Sequence, residues 1–371
     1  MMQQKRNAVV MGFAVLLSIL FMVIYFLCRN QTMGYQVPEA EIQQTGIEKI
    51  YLTSRQLNTL STDSVSYIIM ESEKAEGQRD FTNAYIAIQG GTSTVYPKKN
   101  YKIKLPEESD YSIYLKANYT DATLLRGSVM ASLWADMVAT EGISDITFVP
   151  NGGSILGTPV LLYKNGQYNG IYFKTKSKSV ENYCGIKKPI AVVFCKKYLV
   201  EEDYNDDIDF YALDSLWKNV YCQEGMEEAI EDSISSLFQT AKQASDEEFI
   251  TKMGEHINLD TAIDYLLFLL FFQADDNYTK NIIWVTYDGI KWYPTAYDFD
   301  STFGLSWDGT ELLPLIYNLP SFDEKGNPVS SLSLLWNRLL ENNFEAVADR
   351  YQILRKDVLD ENNILDCFYD V

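Results

Sequence analysis

Four oxygen-bearing side chains lie close together in the segment QADDNYTKNIIWVTYDGIKWYPTAYDFDSTFG. They are Asp276, Asn281, Asp298 and Asp300. Carboxylate and amide oxygens are hard ligands of the kind that Mg²⁺ and Mn²⁺ prefer. The chain has a single histidine, which excludes a metal site built from several histidines. These residues therefore predict chemistry that uses carboxylates and a divalent cation.

A predicted hairpin separates the first two of these residues from the last two. IIWVTY and IKWYPTAY flank Asp288-Gly289, which is a strong signal for a two-residue turn. Such a turn places Asn281 opposite Ala296, with Asp298 as its diagonal neighbour at about 7–8 Å. Pro294 weakens this expectation, because proline is tolerated mainly at edges or bulges, and a bulge would shift the register by one residue.

The order of these residues matches the logic of protein kinases. In kinases an Asp orients the attacking hydroxyl, a later Asn binds metal, and an Asp beyond a hairpin holds Mg²⁺. Asp276, Asn281 and Asp298 stand in that order, but no histidine precedes the first, and DFD replaces DFG. A purely structural role in turns and caps is the alternative interpretation of the same residues.

The elements that position these residues change character along the chain. Between about residues 47 and 173 short β-rich runs dominate, interrupted by one helix predicted at 123–140. Helical patterns follow at 226–243 and 259–273, and again from about residue 332. We therefore predict an α+β fold with a β-rich lobe (46–175) and a mostly helical lobe (176–371) that carries the metal site.

The N-terminal sequence predicts how the chain is oriented across a membrane. Residues 8–28 are uncharged and apolar, and Lys5 and Arg6 precede them. This pattern predicts a cytoplasmic tail (1–7), one transmembrane signal anchor (8–28), a linker (29–45) and an extracytoplasmic domain at the cell membrane. The formal net charge of −20 argues against nucleic acid as a partner, because binding to its backbone requires clustered cations.

Four blocks of the sequence resemble the CotH family of spore-coat kinases. The first is GGTS with PKKNYKIKL, which includes Ser93, Lys98, Lys102 and Lys104. The others are DATLLRGSVMASLWADM, YNGIYF, and DDNYTKNIIW with KWYPTAYDFDSTFG. They occur in the order typical of the family and span most of the domain.

The resemblance implies a divergent protein-kinase-like fold and the use of ATP with Mg²⁺ or Mn²⁺. It implies that Asp276 is the catalytic Asp, that Asn281 and Asp298 hold metal, and that Asp300 assists. Ser93 and the three lysines would face the nucleotide; strand parity puts Lys98, Lys102 and Lys104 on one face. The implied reaction moves the γ-phosphate of ATP to Ser or Thr of exported or surface proteins.

Two departures from the family pattern leave alternatives open. Lys176 stands where the family places a glutamate, and the chain ends before the helices with which the family's domain normally closes. A catalytically impaired pseudokinase that acts as a surface binding or assembly module is therefore a second interpretation. A glycan-binding or carbohydrate-active protein is a third, since the chain is rich in tyrosine and carries paired carboxylates.

Overall fold

Seven strands of the first half of the chain form a closed barrel. Their order around the barrel is β1-β2-β3-β4-β5-β7-β6, and the parallel pairing of β1 with β6 closes it. The strands are β1 (Glu48–Thr53), β2 (Val65–Glu73), β3 (Arg79–Gln89), β4 (Asn100–Lys104), β5 (Ser112–Lys116), β6 (Gly157–Lys164) and β7 (Gln167–Lys176).

Strand periodicity accounts for the barrel interior. Successive side chains of a strand point to opposite faces, so alternate residues enter the core. In β2, Ile68 and Met70 are buried, whereas Tyr67 and Ile69, which alternate with them, are about half exposed. The inward residues of the seven strands form one apolar cluster of their own.

A second, four-stranded antiparallel sheet has the order β11-β10-β8-β9. It consists of β8 (Ala191–Cys195), β9 (Trp217–Cys222), β10 (Ile282–Thr286) and β11 (Trp292–Ala296). All residues of β8, β10 and β11 are buried, which is why AVVFC and IIWVT read as continuous apolar runs rather than alternating ones.

Helices supply the rest of the larger core. They are α1 (Arg126–Ala139), α2 (Glu227–Gln243), α3 (Phe249–His256), α4 (Leu259–Phe271), α5 (Leu334–Asn342), α6 (Phe344–Leu354) and α7 (Glu361–Tyr369). The predictions of helices at 123–140, 226–243 and 259–273 are confirmed by α1, α2 and α4. Trp134 of α1 and Trp336 of α5 both pack on Tyr265 of α4.

The predicted fold class, a two-lobed protein-kinase-like fold preceded by a transmembrane helix, was wrong. The β-rich region closes into a barrel, the second half carries a sheet among its helices, and residues 47–371 form one compact unit. The alternation of apolar and polar residues predicts strands, but it does not predict which strands pair with each other. The β1–β6 pair, which closes the barrel, joins residues far apart in the sequence.

The predicted register of the β10–β11 hairpin was wrong by one residue. Ile282, not Asn281, lies opposite Ala296. The turn is wider than two residues, because the side chain of Asp288 accepts hydrogen bonds from the backbone N–H groups of Ile290 and Lys291, both at 2.8 Å. Asn281 therefore lies just before the strand rather than within it.

The structure is a computed structural model that describes residues 46–369 except 75, 106–111, 142–148, 198, 200–202, 205–206, 279 and 310–333. The predicted tail (1–7), transmembrane anchor (8–28) and linker (29–45) lie outside the described residues. Within the described ranges, no helix has the length and apolar character needed to span a bilayer. The predicted localisation as a single-pass cell-membrane protein is corrected accordingly, since the described structure gives it no support.

Candidate active site

A cavity of about 530 Å³ is lined by residues of both the barrel and the second sheet. Six of the residues predicted from the sequence line it together: Ser93, Lys98, Asp276, Asn281, Asp298 and Asp300. Residues more than 180 positions apart in the sequence thus meet around one space. Their individual roles as catalytic, nucleotide-binding or metal-binding groups stay predictions.

The side chain of Asp276 has two polar partners. It lies in a short 3₁₀ turn after α4, where its Oδ2 accepts a hydrogen bond from Asn281 Nδ2 at 2.8 Å. Its Oδ1 pairs with Lys280 Nζ at 2.7 Å. Asn277 Nδ2 donates to the backbone oxygen of Tyr297 at 2.8 Å, which ties this turn to the end of β11. Because the amide nitrogen of Asn281 is used here, its amide oxygen is left as a potential ligand.

Asp298, directly beyond β11, forms an ion pair with a lysine from the barrel. Lys116 Nζ, at the end of β5, lies 2.8 Å from Asp298 Oδ1. Burial alone would raise the pKa of Asp298, but the Lys116 ammonium outweighs it, so the pKa of this carboxyl is lowered. Asp298 is therefore ionised at neutral pH, as a metal ligand must be.

Sequence reasoning missed Lys116. The one available signal was a lysine at the end of the otherwise apolar strand SIYLKA, and such residues are common at strand ends. Its partner, Asp298, lies 182 positions along the chain. Only the long-range packing of the barrel against the second sheet reveals the pair.

The backbone at this site is strained. Asn281 and Asp298 both have positive φ angles, 57° and 66°. Residues other than glycine rarely adopt this left-handed region, although Asn and Asp tolerate it best. Strained backbone persists where surrounding structure holds it, and it is enriched at functional sites.

Asp300 lies close to Asp298, and its pKa is raised to about 7 by burial and then by the Asp298 charge. A buried ion pair between Arg126 and Asp121 supports this loop. Asp121 accepts a hydrogen bond from the Arg126 backbone at the start of α1, and Arg126 Nε donates to the backbone oxygen of Thr302 at 3.1 Å. The loop after β11 is thereby fixed to α1.

A glycine-rich turn between β3 and β4 forms another wall of the cavity. Gly90 has φ 122°, a conformation that residues with a side chain rarely adopt, and a Cβ atom there would lie 2.0 Å from Ser93 Oγ and displace it. Asn100 Nδ2 donates to Ser93 Oγ at 3.2 Å and holds the serine in place. The turn therefore brings backbone groups and one hydroxyl to the edge of the cavity.

The predicted lysines do not all lie in the same place. Lys98 precedes β4, and its ammonium donates to the backbone oxygen of Ala117 at 3.1 Å and lies 4.4 Å from the Tyr172 ring. Burial lowers its pKa to about 8. Lys102 and Lys104 lie on the exposed face of β4 and do not line the cavity.

Three further cavity lysines, Lys178, Lys196 and Lys218, were not predicted from the sequence. Lys178 lies just after β7, with its Nζ 3.5 Å from the Phe194 ring and 4.1 Å from the Tyr297 ring. Lys176, which replaces the family's glutamate, is exposed and does not line the cavity. In the sequence KTKSKS, only the position of Lys176 stands out against the family pattern, and strand parity does not show which lysine of this run turns inward.

The donor set fits a divalent cation. Among the described residues, no three His, Cys, Asp or Glu side chains are grouped so that they could hold a metal. The available donors are instead the amide of Asn281 and the carboxylates of Asp298 and Asp300, which are hard oxygen ligands suited to Mg²⁺ together with phosphate oxygens and water. A cation would also offset the charge of Asp298, which after burial is the second cause of the raised pKa of Asp300.

Phosphoryl transfer uses side chains and backbone features of the kinds found in this cavity: lysines, a glycine-rich turn and a carboxylate–amide group. A family model described as CotH kinase protein matches residues 86–365, which include every site residue described above. The chain belongs to the CotH kinase family. A search of the curated proteins found no match.

Proposed function

We propose that this chain is a metal-dependent protein kinase that transfers the γ-phosphate of ATP to Ser or Thr hydroxyls of a protein substrate. The observation that carries the proposal is the convergence of Asp276, Asn281 and Asp298 on one cavity, which also contains Lys116 and the glycine-rich turn. Family membership supports a kinase-related function in general.

Each group has a distinct task in the proposed reaction. Asp276 accepts the proton of the attacking hydroxyl, whose oxygen forms a bond to the γ-phosphorus. The bond from that phosphorus to the β–γ bridging oxygen breaks, and ADP leaves. Asn281 and Asp298 would hold the divalent cation, which supplies neutralisation of phosphate charge when bound. Catalysis then rests on positioning and electrostatic stabilisation.

An aromatic part of the cavity suits the nucleoside. Tyr96 and Tyr119 stack with ring centroids 5.0 Å apart, and Trp307, also in the lining, is 44% exposed. Stacking of a nucleobase on an aromatic side chain contributes about 1–3 kcal/mol per base to the free energy of binding. These rings line the same cavity as Asp298 and Asp300, so the aromatic part and the carboxylates border one space. A nucleotide bound there would reach them with its phosphates.

The test is transfer of label from γ-labelled ATP by the full chain, with Mg²⁺ or Mn²⁺, to itself or to Ser-containing proteins. Asp298→Asn should lose transfer by about 10³-fold, because the substitution removes a charge that acts in the transition state. Asp246→Asn, at an exposed ion pair with Arg338, is the matched control and should transfer as the wild type does. Transfer that survives both Asp298→Asn and chelator would refute the proposal.

A second candidate is a pseudokinase that binds nucleotide without turnover. The specific observation in its favour is that Lys116 and Lys280 already neutralise Asp298 and Asp276. Metal-dependent nucleotide binding by the wild type without label transfer to any acceptor would favour this candidate.

A further inference from the structure

A second, smaller cavity of about 180 Å³ lies at one end of the barrel, and we call it the mouth pocket. Its lining residues lie at or near the ends of β1, β3, β4, β6 and β7. The polar ones are Asn58, Lys98, Lys99, Tyr101, Lys164 and Asn169. Among the described residues, no Asp or Glu lines this pocket. Since the mouths of β-barrels are frequent ligand sites, a mouth that gathers lysines without carboxylates indicates an anionic ligand.

Lys164 is an inward-facing residue at the end of β6. Val160 and Leu162 are fully buried in the barrel core, and strand alternation places Lys164 on the same face. Its Nζ donates a hydrogen bond to the hydroxyl of Tyr101 at 3.1 Å, and Tyr101 is only 3% exposed. An ammonium carries three N–H donors, so this contact leaves donors for a further acceptor. The barrel core therefore ends in a cation rather than in another apolar side chain.

The two other lysines are held at the mouth by backbone oxygens. Lys98 Nζ donates to the oxygens of Ala117, at 3.1 Å, and of Ile171. Lys99 Nζ donates to the oxygen of Thr94 at 2.7 Å. In the part of the chain that the structure describes, neither lysine forms an ion pair with a carboxylate. The positive charge of the mouth pocket is therefore not neutralised by the protein.

The mouth pocket is distinct from the cavity of the candidate active site. Lys98 lines both spaces and so lies between them. Lys99 and Lys164 are not among the described residues that line the larger cavity. A ligand held by these two lysines would therefore occupy a site of its own.

The size and charge of the mouth pocket restrict its ligand. Pockets for drug-sized molecules measure about 300–1,000 Å³, so a volume of about 180 Å³ suits an ion or a molecule of few atoms. Without an anion, the three ammonium groups would repel one another. Phosphate offers four oxygens to donors that approach from different strands, and lysine is a common phosphate ligand.

We infer that the mouth pocket is a binding site for a small tetrahedral oxyanion of the phosphate class, held by the ammonium groups of Lys98, Lys99 and Lys164. The site does not depend on the proposed kinase function. Free phosphate and the phosphate group of an ester share this chemistry, and the small volume of the pocket favours the free ion.

The test is equilibrium dialysis of the full chain against radiolabelled inorganic phosphate, with chelator present so that no metal holds the phosphate. The wild type should bind about one phosphate per chain with a Kd below about 1 mM. The double variant Lys99→Gln, Lys164→Gln should bind at least about tenfold more weakly, because charge-assisted hydrogen bonds are lost. Lys74→Gln is the matched control and should bind as the wild type does, since Lys74 pairs with Asp80 at an exposed site and does not line the pocket.

A variant in the larger cavity tests the competing location. Lys178 lines that cavity and not the mouth pocket, so Lys178→Gln should leave phosphate binding unchanged. Binding that Lys178→Gln weakens and the double variant keeps would place the phosphate in the larger cavity and overturn the inference. A folded wild type without saturable binding up to about 10 mM phosphate would overturn it as well.

Competition separates the free ion from other anions and from esters. Unlabelled sulfate should displace the labelled phosphate, whereas acetate and AMP should not, because acetate is not tetrahedral and AMP exceeds the pocket volume. Displacement by AMP at lower concentration than by unlabelled phosphate would contradict a site for the free ion. If the double variant does not fold, the single variant Lys99→Gln, checked by circular dichroism, gives the same comparison.

Discussion

Two groups of ion-paired charges in this chain use similar residues in different settings. The helix cluster joins Asp264 of α4 to Arg350 of α6, with two contacts of 2.6 and 2.7 Å. Arg350 also donates to the backbone oxygen of Met137 and the hydroxyl of Thr140. Glu141 lies beside Asp264, and burial and a hydrogen bond to Asp264 raise its pKa to about 10.

The cavity cluster consists of Asp276, Lys280, Asn281, Asp298 and Lys116. It has equally short contacts, but two of its members have left-handed backbone and it borders a large space with further lysines. The helix cluster lies on regular helices and ties three parts of the core together. Both clusters contain short ion pairs, but the cavity cluster also has left-handed backbone beside a cavity, a feature that is enriched at functional sites.

The largest expected effect that separates the two clusters is on activity. Asp276→Asn should reduce phosphate transfer by about 10³-fold, because a general base is lost, while the melting temperature stays close to that of the wild type. Transfer assays and thermal unfolding on the same sample check this. A large loss of stability with little loss of transfer would mean that the cavity cluster has a structural role, as the helix cluster does.

The helix cluster should respond in the opposite way. Arg350→Leu leaves the fully buried Asp264 without its counter-ion, which should lower the free energy of unfolding by about 3 kcal/mol. Urea denaturation measures this loss. Arg79→Leu is the control: Arg79 pairs with Glu71 and Glu73 but is itself about half exposed, so its loss should cost less than about 1 kcal/mol. Equal losses of unfolding free energy for the two substitutions would contradict the structural role of the helix cluster.

A smaller effect tests the strain at Asn281. Asn281→Gly and Asn281→Ala both remove the amide and should both lose transfer. Because φ is positive there, the alanine variant should be less stable than the glycine variant by about 1 kcal/mol. Chemical denaturation of both variants measures the difference. Equal stability would mean that the backbone at this position carries no strain.

Local patterns predicted much of this molecule. The helical pattern of residues 123–140 predicted α1, and the segment from Asp276 to Asp300 contains the acids and the amide that meet in the cavity. The helix prediction succeeded because its signal lies within a few turns of one helix. Family resemblance added Ser93 and Lys98, which line the same cavity.

Long-range pairings could not be predicted in this way. Closure of the barrel depends on β1 meeting β6, and the partner of Asp298 comes from β5. The predicted register of the β10–β11 hairpin was wrong because the side chain of Asp288 caps a wider turn. The Asp-Gly signal does not reveal this effect. The barrel closure and the partner of Asp298 depend on tertiary packing, whereas the hairpin register depends on a local bond between a side chain and the backbone.

The most direct test of the central claim, that the cavity holds a metal–nucleotide complex, is Mn²⁺ binding measured by electron paramagnetic resonance with ATP present. The full chain should bind Mn²⁺ in an ATP-dependent way, Asp298→Asn should lose that binding, and Asp246→Asn should keep it. Binding that is unchanged in Asp298→Asn, or absent from a folded wild type, would contradict the account.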